Sequence, residues 1–167
     1  MAVAEADRAT FFMQAAQEGS AEAQYNMGYL YENGDGVPQD YFEAGKWYEL
    51  ASEQGDPDAQ NNLGVLHERG LGVTQNFDEA AKWYRLAAEK GNPLAQYNLG
   101  LLYLQGTGVA QDDATAAQWL LRSAEQGDTA AQYGMADLYF NGQGVPQDFT
   151  EASKWLGFAA SGPSRGA

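Results

Sequence analysis

The chain repeats itself every 36 residues, and that regularity limits what it can fold into. Residues 33–40 read N-G-D-G-V-P-Q-D and residues 141–148 read N-G-Q-G-V-P-Q-D. Seven of eight positions match across 108 residues, which is three periods. At a shift of 36, Gly19, Gly55, Gly91 and Gly127 coincide without any insertion. So do Trp47, Trp83, Trp119 and Trp155, then Val37, Val73, Val109 and Val145, then Gln39, Gln75, Gln111 and Gln147. A catalytic loop is rarely duplicated, whereas the joint of a repeating scaffold has to be. A fixed period of this size with helical patterning inside it predicts an all-α solenoid, in which each unit shelters the apolar side of its neighbour.

Each unit is predicted to hold two antiparallel helices. The first begins after Ser20, Asp56, Asn92 and Asp128, whose side-chain oxygens can accept from the free amides of a first turn. Pro57 and Pro93 follow at the first helical position, where a missing amide costs nothing. Ala23, Met27, Leu30 and Tyr31 then fall on one helical face. Gly34, Gly70, Gly106 and Gly142 are expected to stop the helix in the left-handed conformation, and Gly36 to allow a second unusual turn. Val37 is expected to fold back onto the helix pair. Asp40 with Glu43 reads as a capping box for the second helix, repeated by Asn76 with Glu79 and by Asp148 with Glu151. The third copy departs, with Thr115 three residues after Asp112. On the second helix Ala44, Trp47, Tyr48 and Ala51 form one face, and tryptophan at this spacing reads as core. Small residues at 28, 64, 100 and 136 are expected to let the paired helices approach closely.

These marks divide the chain into a half repeat at 4–18, serving as an N-terminal cap, and repeats at 19–54, 55–90, 91–126 and 127–160. Residues 1–160 read as one solenoid domain and 161–167 as a loose tail. With 44% apolar residues there is ample material for a core. Twenty-three acidic against nine basic residues give a net charge of −14, which disfavours nucleic acid and anionic lipid and favours a basic partner. The chain has no cysteine, so disulfides and thiolate metal sites are excluded. No apolar run reaches transmembrane length. The composition suits a soluble chain in the cytoplasm, the periplasm or outside the cell.

The unit A-x-A-Q-Y-N-x-G-x-L-Y-x-x-G-x-G-V-x-Q-D…A-x-K-W-Y…A-A-E-x-G resembles the Sel-one-like repeat family, relatives of the tetratricopeptide repeat, over residues 4–160. Departures are Asn61, Gly134, Ala136, Asp113 and Gln118. The resemblance implies a right-handed superhelical α-solenoid whose members act as adaptors and assembly scaffolds. Some bacterial members are cysteine-rich or associated with β-lactam hydrolysis, an activity that does not carry over to a chain without those cysteines.

Positions that differ between the copies are free to specify a partner. On the first helices these are Glu22, Asp58 and Leu94; Tyr25, Asn61, Tyr97 and Tyr133; Tyr29, Val65, Leu101 and Asp137; Glu32, Glu68, Leu104 and Phe140; and Arg69. If the first helices line the concave side, as the resemblance implies, these residues pave one groove. It is acidic in its first half and apolar in its second, suited to a peptide or protein with basic residues and an apolar anchor.

A non-catalytic interaction scaffold is therefore the expected function. The alternatives are an inhibitor or immunity-like protein gripping a basic target, and a hydrolase of the β-lactam or cell-wall type. His67 is the only histidine and replaces Tyr31, Tyr103 and Tyr139 of the other copies, so it reads as a structural aromatic. No P-loop Lys-Ser/Thr follows the glycines, no Ser-x-x-Lys occurs and no serine sits in a nucleophile elbow. No metal or cofactor is implied. Self-association through terminal helices, near Phe11, Phe12 and Trp155, is a further expectation.

Overall fold

The computed structural model describes residues 2–162, with side chains from residue 8 onward. Among the described residues there are nine helices and no strands: α1 (Ala2–Gln17), α2 (Ala21–Asn33), α3 (Tyr41–Glu53), α4 (Pro57–Arg69), α5 (Phe77–Glu89), α6 (Pro93–Gln105), α7 (Asp113–Glu125), α8 (Thr129–Asn141) and α9 (Phe149–Ser161). The last helix runs one residue past the expected end of the final pair. Residues 163–167 of the expected tail lie outside the described residues. The chain divides into two compact units, Met1–Ala87 and Ala88–Ala167.

The helix boundaries follow the caps read from the sequence. Ser20 Oγ accepts from the Ala23 amide at 3.3 Å, and Asp56, Asn92 and Asp128 accept from Ala59, Ala95 and Ala131, each at 2.8 Å. Gly34, Gly70, Gly106 and Gly142 end these helices with φ of 74°, 67°, 66° and 68°. The loop glutamine then reaches back. Gln39, Gln75 and Gln147 donate from Nε2 to the carbonyls of Glu32, Glu68 and Phe140, each at 2.8 Å, satisfying acceptors that a helix end leaves open.

The capping boxes do not close. Asp40 accepts from the amides of Phe42 and Glu43, but its own amide donates to the Tyr31 carbonyl at 2.9 Å. Glu43 therefore has no capping amide to accept from and pairs with Lys46 at 2.7 Å. Asn76 and Asp148 donate to the carbonyls of His67 and Tyr139 in the same way, and Glu79 and Glu151 pair with Lys82 and Lys154. The amide that a box would use is committed to tying the second helix to the first. Thr115, the apparent exception, donates its hydroxyl to Asp112 at 2.7 Å as well as its amide at 3.0 Å.

On α3 two adjacent residues face opposite neighbours. Trp47 packs back on the cluster of Ala9, Ala16, Ala23, Met27 and Leu30, and Val37 joins it as expected. Tyr48 packs forward with Ala44, Ala51, Ala59, Leu63 and Leu66. Its ring lies over Gly28, where a Cβ would come within 2.5 Å of it. In the second unit Trp155 packs back on Ala117, Leu120, Ala124, Ala131, Met135 and Leu138. The tryptophans are less central than the sequence suggests: Trp47, Trp83 and Trp119 are half-buried at the rim, while Tyr48, Tyr84 and Leu120 are fully buried. The glycines at 28 and 64 thus make room for an aromatic ring rather than for a bare helix-to-helix contact.

A buried glutamine clamps each first helix to the helix before it. Gln24, Gln60, Gln96 and Gln132 donate from Nε2 to the carbonyls of Ala16, Ser52, Ala88 and Ala124 at 3.1–3.3 Å. Gln24 and Gln96 also accept, from Gln54 at 2.7 Å and Gln126 at 2.8 Å. Gly162 stands where Gln54 and Gln126 stand, and Gln132 Oε1 is buried without a partner. Apolar burial supplies the driving force, and these bonds set the register of one helix on the next.

Candidate functional site

In the first unit the expected site residues lie on α2 and α4. Glu22, Tyr29, Asp58 and Arg69 are exposed, Tyr25, Glu32, Val65 and Glu68 are half-buried, and Asn61 is buried. Asn61 is thus removed from any surface, its amide nitrogen donating to Asn62 Oδ1 at 3.2 Å. Tyr25 packs 5.8 Å from the Tyr48 ring. Burial raises the Tyr25 hydroxyl above its ordinary pKa, and the charges of Asp58, Asp56 and Glu32 raise it further. The negative potentials of both helices therefore converge around Tyr25.

Two of the acids have structural work. Tyr48 donates its hydroxyl to Glu32 Oε2 at 2.6 Å, and Tyr84 donates to Glu68 Oε2. Burial of the ring, then the hydrogen bond to the glutamate, push both hydroxyls far above the ordinary tyrosine range. In the second unit the corresponding residues are Leu104 and Leu120, with Leu104 packed against the cluster that holds Leu120. The two positions change together, Glu with Tyr and Leu with Leu, because a buried hydroxyl needs an acceptor and a buried leucine does not. Divergence at this position, read from the sequence as freedom to specify a partner, is here compensation inside the scaffold.

Two expected outcomes follow from that pairing. Glu68→Leu alone leaves the Tyr84 hydroxyl buried without an acceptor and costs about 1–3 kcal/mol in urea denaturation. Adding Tyr84→Leu recovers most of that loss, and a strictly additive double mutant would show the residues to be uncoupled. Second, both tyrosines stay protonated in the folded chain above pH 10, where unfolded tyrosine ionises. Their contribution is complete below pH 10 and falls as pH rises beyond it, by about 1.4 kcal/mol per pH unit for each. Denaturation midpoints between pH 9 and 11 measure the slope, and Tyr84→Phe removes one tyrosine's share of it.

In the second unit the expected residues lie on α6 and α8. Leu94 is 44% exposed, Tyr97, Leu101 and Leu104 are half-buried, and Tyr133, Asp137 and Phe140 are exposed. Tyr97 and Leu104 pack against the core from its edge. Phe140 meets Phe149 of α9 edge to face, with ring centroids 5.3 Å apart. α6 carries no charged residue along its whole length, although Ala95, Leu99 and Leu102 already fill its buried side. Leu94 and Leu101 thus add apolar surface to α6 beyond the residues that fill its core.

His67 occupies the tyrosine position and is half-buried, with Nδ1 buried and unpartnered. It lines a cavity of about 220 Å³ with Phe42, Lys46, Glu49, Leu63 and Val73. Among the described residues no group of three His, Asp or Glu side chains could hold a metal ion, and no helix is long and apolar enough to cross a membrane. Trp155, expected to take part in self-association, is buried at 8% exposure, while its neighbour Leu156 stands 48% exposed. Sequence reasoning missed the glutamine clamp. Its signal was the glutamine after alanine in all four copies.

The Sel1 repeat family model matches residues 21–56, 57–92, 93–128 and 129–164. A solved protective antigen of uropathogenic Escherichia coli with an SLR fold is 39% identical, with TM-score 0.87 over 91% of this chain and 32% of its own. A Sel1 repeat protein of Oxalobacter formigenes is 40% identical, with TM-score 0.85 over 91% of this chain and 61% of its own. The chain thus spans about a third and three fifths of these two. An immunity protein of Pseudomonas aeruginosa, 23% identical over 92% of this chain and 56% of its own with TM-score 0.62, shares the fold. No curated protein matches significantly. With four matched repeats covering most of its length, and with clamps and caps recurring at the same 36-residue spacing, the chain belongs to the Sel1 repeat family of all-α helix-pair proteins.

Proposed function

We propose that this chain is a non-catalytic interaction module that binds a protein or peptide partner on its first-helix faces, anchored by Leu94 and Leu101 on α6. Sel1 repeat proteins are generally protein-interaction scaffolds. The observation that supports the reading is the uncharged α6, which leaves Leu94 exposed and Leu101 half-buried while Ala95, Leu99 and Leu102 fill the core. A helix apolar on both sides is one that buries both. In affinity capture from the native host, Leu94→Asp with Leu101→Asp is expected to lower recovery of the partner at least tenfold at unchanged Tm. Recovery equal to that of the native chain defeats the proposal.

A second reading, an inhibitor or immunity-like protein for a basic target, is favoured by the acids converging on Tyr25 and by the net charge of −14. Glu22→Gln with Asp58→Asn is its test, because Glu32 and Glu68 are committed to tyrosines. Under this reading the variant weakens capture at low salt and flattens its salt dependence. The hydrolase alternative needs Glu68 or His67 as an acid–base group, and Glu68 already accepts from Tyr84.

A further inference from the structure

We propose that the cavity beside His67 binds one phenolic ring. Three positions recur wherever a second helix meets the next first helix. Beside α1 and α2 they are Ala9, Tyr31 and Val37, which pack into one core cluster. Beside α7 and α8 they are Ala117, Tyr139 and Val145, which do the same. Beside α3 and α4 they are Gly45, His67 and Val73. A methyl and a phenol ring are thus missing together, one from each helix. In their place lies a cavity of about 220 Å³ that reaches the core residues Leu63 and Leu66. The groove beside α1 is larger, about 470 Å³, but Met27, Leu30 and Tyr31, the equivalents of Leu63, Leu66 and His67, do not line it.

The scaffold requires neither change. A Cβ on Gly45 would meet Leu66 at 3.5 Å, an ordinary contact, and alanine holds a helix better than glycine. His67 leaves its Nδ1 buried and without a partner. An empty cavity and an unpaired buried nitrogen both disfavour the fold, and one occupant would answer both. Leu63, Leu66 and Val73 make the wall apolar, and Phe42 flanks it. An apolar cavity of about 150 Å³ is enough for benzene, so one six-membered ring fits. A hydroxyl both donates and accepts, so it serves Nδ1 in either tautomer. Lys46 is already paired with Glu43 at 2.7 Å, and Glu49 lines the same cavity, so a neutral ligand is favoured over an anion. The tyrosine side chain that fills the equivalent place beside α2 and α8 is itself a phenol. This proposal does not rest on the α6 reading.

The probe is p-cresol, titrated calorimetrically into the full chain. Saturable one-to-one binding is expected, with the methyl NMR signals of Leu63 and Val73 shifting and that of Met13, beside α1, unmoved. Toluene, which lacks the hydroxyl, binds severalfold more weakly, and His67→Leu reverses that order. Gly45→Ala with His67→Tyr refills the space with the residues found beside α1 and α2. It weakens p-cresol binding at least tenfold and raises Tm. N-acetyltyrosinamide separates two sources of the ring. Binding at least as tight as that of p-cresol assigns it to a partner's tyrosine, and weaker binding to a free small phenol. Absence of saturable binding overturns the proposal. So does binding that survives the refilled variant, a shift confined to Met13, or an unchanged preference for p-cresol in His67→Leu.

Discussion

Gly144→Ala is expected to lower stability by at least about 3 kcal/mol, read from the midpoint of urea denaturation. Gly144 has φ +69°, a conformation that alone costs an alanine about 1–2 kcal/mol. Its added Cβ would lie 2.0 Å from the Asp113 carbonyl oxygen and 2.5 Å from the Asp113 carbonyl carbon. Those atoms open α7 in the preceding repeat, and backbone in a helix cannot rotate aside as a side chain can. Gly72 meets Tyr41 and Phe42 at the start of α3 in the same way, at 2.5 Å. The second glycine of the loop thus serves the joint between repeats as well as the local turn. Gly127→Ala is the control: φ is +90°, but no atom lies within 4 Å of the new Cβ. It should show the backbone penalty alone, and equal losses at the two sites would remove the packing explanation.

The second large effect belongs to Gly64. A Cβ there would approach two ring atoms of Tyr84 to 2.5 Å, so even alanine displaces the ring and costs about 1–3 kcal/mol. Gly64→Leu adds three more carbons to a space that has none and is expected to cost at least about 3 kcal/mol. The ring cannot swing outward freely, because its hydroxyl is held by Glu68. Gly134→Ala reverses the sign. Its Cβ would meet Leu120 at 3.6–3.8 Å, an ordinary contact, and alanine favours the helix over glycine by up to about 1 kcal/mol. In thermal melts a neutral Gly64→Leu would show the Tyr84 ring placement to be wrong, and a destabilised Gly134→Ala the Leu120 placement.

Much of the fold was legible because its signals are local. An Asp, Asn or Ser before a helix and a glycine after it act on atoms within a few residues. Four copies of each made the pattern unambiguous. The same repetition misled where it was taken as a map of function. Glu32 and Glu68 differ from Leu104 and Phe140, which looked like partner specificity. Three-dimensional pairing shows that Glu32 and Glu68 answer to the tyrosines 16 residues on. Likewise Asp40 with Glu43 fits a capping box by spacing, but the amide that the box needs donates to Tyr31. Asn61 shares a helical stripe with exposed residues and is buried all the same.

From its sequence alone this protein is a row of helix pairs at a 36-residue period, because caps, left-handed glycines and apolar spacing are properties of short stretches. Which surfaces remain open was decided only by tertiary packing. Burial of a side chain depends on what the next helix places over it, and that helix is distant in sequence. Trp47 and Tyr48 are adjacent in the chain; one is left half-buried at the rim and the other is sealed by α4.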